Sequence, residues 1–62
     1  MPIRVYPRVI DLVQAVRNGG GVPKEVKYAK GRSMYESIMK YIEEKYHAPH
    51  RQAMDAAKYF MF

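Results

Sequence analysis

The sequence predicts a mainly α domain, and three observations carry that prediction. Apolar residues recur at helical spacing in three separate stretches, a serine and a glutamate three residues apart open the second, and glycine and proline breaks divide them. Short strands at residues 3–6 and 25–29 would make the fold α+β. A chain of 62 residues allows one domain, because at this size only about 60% of the unfolded surface is buried and nothing remains for a second core. Small domains are commonly stapled by disulfides, a metal or a partner subunit. With no cysteine the disulfide and the thiolate metal site are excluded, so a homo-oligomer or a hetero-complex is expected.

Ile3 to Tyr6 alternates apolar and polar residues, which suits a short strand. Pro7 fits the first turn of a helix, where a missing N–H costs nothing, and Val9, Leu12, Val13 and Val16 recur at i, i+3, i+4 and i+7. This first helix ends at Asn18 and Gly19, since glycine tolerates the left-handed geometry of a helix terminus. Gly19 to Gly21 and Pro23 then break the chain. Val26 and Tyr28, flanked by charged residues, suit an extended arm, with a short helical turn from Pro23 as the competing expectation.

Ser33 and Glu36 form the capping box S-x-x-E, which starts the second helix. Tyr35, Ile38, Met39, Ile42 and Tyr46 make its inward stripe, while Glu36 and Lys40 make an i, i+4 pair on the solvent side. His47, Ala48 and Pro49 interrupt it, because proline disfavours helical geometry in the residue before it and fits the opening of a new helix. Ala53, Ala56, Ala57 and Phe60 form the inner face of the third helix. The apolar end, Tyr59 to Phe62, is expected either beneath the domain or inserted into a partner.

Few residues suit catalysis. No cysteine exists, Ser33 sits in a cap and Ser37 is expected on a solvent-facing side. Glu43 and Glu44 point about 100° apart around their helix, so they do not converge on a reacting atom. His47 and His50 have a spacing compatible with metal ligation but no evident third ligand. The glycine run lacks the phosphate-loop pattern. No enzyme activity and no cofactor are expected. Nor is there a segment near the ~20 apolar residues of a membrane span, or a signal-peptide pattern, so no membrane association is expected. The expected location is intracellular, in cytoplasm, nucleoid or nucleus, or within a virion, and not secreted.

The stretch Ile38, Met39, Lys40, Tyr41, Ile42, Glu43, Glu44, Lys45, Tyr46 resembles the second helix of the linker-histone globular domain, and Pro49 stands where a proline precedes that family's third helix. From Ile42 through Tyr46, His47 and Ala48 to Ala56 the chain is also similar to the helix-turn-helix of bacterial winged-helix repressors. The resemblance covers residues 33–60. It implies a three-helix domain whose second and third helices form a helix-turn-helix, and it implies DNA binding.

Charge gives this implication a location. Residues 1–32 contain Arg4, Arg8, Arg17, Lys24, Lys27, Lys30 and Arg32 against Asp11 and Glu25, which accounts for the whole net charge of +5. The remainder balances four bases with four acids. The basic connecting arm within residues 19–32 suggests phosphate contacts from Lys24, Lys27, Lys30 and Arg32, with His50, Arg51 and Gln52 near base edges and little sequence preference on duplex DNA. The alternative is a small accessory or virion module that docks on a protein through Tyr59, Phe60, Met61 and Phe62, its basic arm meeting an acidic protein surface.

Overall fold

The computed structural model describes residues 4–27 and 33–61, and it is mainly helical. Among these residues four α-helices follow one another: α1 (Val9–Asn18), α2 (Lys24–Lys27), α3 (Met34–Tyr46) and α4 (His50–Ala57), continued by a 3₁₀ turn over Lys58–Phe60. Helix α4 packs against both α1 and α3, and α2 packs on α3. Among the described residues there is no strand. Arg4 to Tyr6 is extended but pairs with no other strand, and Lys24–Lys27 is a helical turn, which corrects the two strand expectations where they fall on described residues; residues 3, 28 and 29 lie outside them. Val26 and Lys27 both donate to Pro23 O, the competing turn from Pro23.

Each α-helix of more than one turn begins and ends for a local reason. Helix α1 starts at Val9, two residues after Pro7, with Arg8 as its N-cap, so Pro7 precedes the first turn and does not occupy it. Asp11 in the first turn and Arg17 in the last complement the helix dipole. At its end, Gly21 N–H donates to Val16 O and Gly20 N–H to Arg17 O, the paired bonds of a Schellman motif. The left-handed residues are Gly20 (φ 101°) and Gly21 (φ 81°), not Gly19. At Gly19 the constraint is space: a Cβ there would lie 2.5 Å from Tyr46 Oη, so a side chain at this position requires the phenol to move.

Helix α3 is capped as its sequence implies, with Ser33 Oγ accepting from Glu36 N–H at 3.1 Å. It closes at His47, which takes a left-handed φ of 53°, and Pro49 caps α4.

The core is assembled from all three long helices. Leu12, Val13 and Val16 of α1, Ile38 and Ile42 of α3, and Ala53, Ala56 and Ala57 of α4 are fully buried. The three alanines leave no bulk between α4 and its neighbours, so one short helix serves two packing partners. Tyr35 Oη also donates to Met54 O, tying α3 to α4. Ser37 is buried rather than solvent-facing, and its hydroxyl has no hydrogen-bond partner among the described residues. That isolation makes Ser37→Ala cheap in hydrogen-bonding terms.

A cluster of phenols closes the domain. Tyr41 and Tyr46 meet edge to face with ring centroids 6.4 Å apart, and Tyr6 is buried. Burial, and then the neighbouring Tyr41 and Tyr6 phenols, push the Tyr46 phenol above its ordinary value of 10.0. A raised pKa means that the folded state resists losing this proton. The associated stability is therefore complete below pH 10 and lost as pH rises through the folded pKa. Tyr46→Phe, compared with wild type in urea titrations from neutral to strongly alkaline pH, is expected to show a shallower alkaline loss of stability. Identical pH profiles would remove Tyr46 as its source.

Candidate nucleic-acid interface

The proposed phosphate-binding arm is only partly described. Lys24 opens α2 and is exposed, whereas Lys27 is half-buried and has an interaction partner of its own. Lys30 and Arg32 lie outside the described residues. The two described lysines thus share one helical turn packed on α3, and the arm is at that point a docked element of the fold.

Helix α4 separates the three residues assigned to base edges. Arg51 is exposed and has no carboxylate partner among the described residues. His50 is exposed too, but its Nδ1 lies 2.9 Å from Glu43 Oε2, so a carboxylate of α3 stands beside it. Gln52 faces the other way. Its Oε1 accepts from Tyr6 N–H at 3.0 Å and its Nε2 donates to Tyr6 O at 2.6 Å. The amide is anchored to a backbone 46 residues away through its oxygen and one of its two N–H donors, which counts against the expectation that Gln52 reads bases. Arg4 N–H adds a bond to His47 O at 2.6 Å, so the extended segment before α1 is clasped onto the α3–α4 junction. No local sequence signal announces this pairing.

Arg51 and Lys58 stand seven residues apart, close to two helical turns, and so line one outer side of α4 and its 3₁₀ extension. Asp55 lies between them, 3.8 Å from Lys58 Nζ. Both members of that pair are well solvated, and such pairs contribute at most about 1 kcal/mol, so Lys58 is readily diverted to another anion.

No family model, curated protein or solved structure matches this chain. Its site is therefore defined by its own side chains. Arg4, Arg17, Lys24 and Arg51 have no carboxylate partner among the described residues. Two of them rest on aromatic rings: Arg4 Cζ lies 5.1 Å from the Tyr6 ring centroid and Arg17 Cζ 5.8 Å from that of Phe60.

The residues assigned to protein docking also divide. Tyr59 is 51% exposed and Met61 37%, but Phe60 is a core residue at 7% and is not available to a partner. Phe62 lies outside the described residues. Among the described residues no group of three or more His, Cys, Asp or Glu is placed to hold a metal ion, and no helix is long and apolar enough to cross a membrane. His50 does gain a neighbouring carboxylate from Glu43, seven residues earlier, a partner that a search of the turn alone misses.

Proposed function

We propose that this protein binds nucleic acid through the phosphate backbone, with α3 and α4 as a helix-turn-helix and with little sequence preference. The observation that carries the reading is the division of labour on α4: Arg51 is exposed and uncompensated, while Gln52, the side chain best suited to a base edge, is held by Tyr6. An α4 whose cation Arg51 is exposed and whose one amide is anchored to Tyr6 favours phosphate contacts over base readout. The N-terminus of α4 adds partial positive charge beside Arg51, since Pro49 supplies no side-chain cap. The likeness of residues 38–46 to a linker-histone helix points to the same ligand.

Lys24, Lys27, Lys30 and Arg32 supply further phosphate contacts in this reading. Each contact contributes about −0.9 to the slope of log K against log salt, so the four together account for roughly −3.6. Replacing all four by glutamine is expected to make the slope shallower by that amount in anisotropy titrations of a short duplex. An unchanged slope, or no wild-type binding at low salt, would defeat the proposal. Docking to an acidic protein surface is favoured by one separate observation, the exposure of Tyr59 and Met61.

A further inference from the structure

Arg4 to Tyr6 lies outside every helix, and its backbone is tied down by three hydrogen bonds. Arg4 N–H donates to His47 O at 2.6 Å, Tyr6 N–H donates to Gln52 Oε1 at 3.0 Å, and Gln52 Nε2 donates to Tyr6 O at 2.6 Å. His47 is the C-cap of α3 and Gln52 lies in the first turn of α4, so the three bonds bridge the break between those helices. Among the described residues none of this segment's hydrogen bonds reaches α1, the helix next to it in the chain. The link to α1 is Pro7 and Arg8, both exposed. From residue 4 to residue 8 only Tyr6 is buried, and Arg4 Cζ lies 5.1 Å from the Tyr6 ring centroid, a contact internal to the segment.

Lifting residues 4–6 breaks these bonds and exposes one ring, and it returns the conformational freedom of a short stretch of backbone. Unfolding the helices exposes the whole core, Leu12, Val16, Ile38 and Ile42 included. Local opening therefore takes less free energy than global unfolding. One anchor is the carbonyl of His47, whose left-handed φ of 53° disfavours a residue with a Cβ, so the closed segment braces a strained turn. We propose that residues 4–6 are a strap across the α3–α4 turn, opening and closing as one unit while the helical core stays folded. Open, the strap bares the Gln52 amide, the His47 carbonyl and the seat of the Tyr6 ring, and α3 and α4 stay joined by their own contacts, Tyr35 Oη to Met54 O among them. The strap stands on hydrogen-bond geometry and does not depend on the nucleic-acid reading.

Native-state hydrogen exchange of the full chain, followed by NMR in rising but sub-denaturing urea, separates the two kinds of opening. Val5 N–H, which has no acceptor among the described residues, marks the unprotected limit, and Val13 and Val16 N–H report on the core. Arg4 and Tyr6 N–H are expected to be protected relative to Val5 but at least about tenfold less than Val16. They should also respond little to urea, because strap opening exposes little surface. Gln52→Ala removes both bonds to Tyr6 and leaves His47 O in place. Arg4 N–H is nevertheless expected to lose protection together with Tyr6 N–H, both falling to within about threefold of Val5, while Val13 and Val16 stay protected. Arg4 N–H that keeps its wild-type protection in this variant overturns the strap, since the segment then does not open as a unit. Wild-type exchange at Tyr6 that matches Val16 in rate and urea dependence also overturns it, whatever the fold of the variant, because the segment is then released only with the whole domain. Wild-type Arg4 and Tyr6 N–H as fast as Val5 overturn it too, since nothing is then closed.

Discussion

Leu12→Ala is expected to remove a large part of the protein's stability in water at 25 °C. Leu12 has no exposed surface and lies in the face that α1 presents to the core. Truncating a buried leucine costs about 2–5 kcal/mol, comprising the lost transfer energy and the cavity left behind. A domain of 62 residues, at roughly 0.05–0.15 kcal/mol per residue, has a total stability of about 3–9 kcal/mol. The loss is therefore comparable with the whole. With an m-value near 1 kcal/mol/M, the urea midpoint followed by circular dichroism should fall by about 2 M or more. Val5→Ala, at a position 72% exposed, should shift it by less than about 0.5 M. Equal shifts for the two variants would mean that α1 does not anchor the core.

Gln52→Glu is the second large effect, and it has a pH signature that simple loss of packing lacks. The amide both accepts from Tyr6 N–H and donates to Tyr6 O. At neutral pH a glutamate in its place keeps the acceptor but sets a carboxylate against the Tyr6 carbonyl. A part-buried carbonyl then loses its donor, at a cost of about 1–3 kcal/mol. A protonated carboxyl restores both bonds, so the folded state favours the proton and raises the group's pKa above its ordinary ~4.3. The variant should match wild type below that value and fall behind as pH rises through the folded pKa. Paired urea titrations from acid to neutral pH measure the difference directly. A constant difference across that range would show that the clasp is not held by the donor at Gln52 Nε2.

Local features of this fold were legible in its sequence. The spacing of Val9, Leu12, Val13 and Val16 placed α1, Ser33 with Glu36 placed the start of α3, and Pro49 divided α3 from α4, because each acts within one or two turns. The inner face of α4 was readable for the same reason, down to Phe60. The clasp was not legible, since Gln52 and Tyr6 are distant in the chain and neither carries a local signature of the other. The same lack of tertiary information put Ser37 on the solvent side and left Gln52 among the base readers. In the arm, Val26 alternates with charged neighbours as a strand would, but Pro23 opens a helical turn there. Of the candidate site, Arg51 and Tyr59 are exposed, whereas Phe60 and Gln52 are committed to holding the fold together.

The clasp also orders folding in time. The α3–α4 contacts close short loops, whereas the Tyr6–Gln52 pair and the packing of α1 on α4 close loops of dozens of residues and carry a larger entropic cost. On a ribosome, α1 is made before α4, the helix that it packs against. Its apolar stripe therefore stays uncovered until α4 has been made and has folded against it.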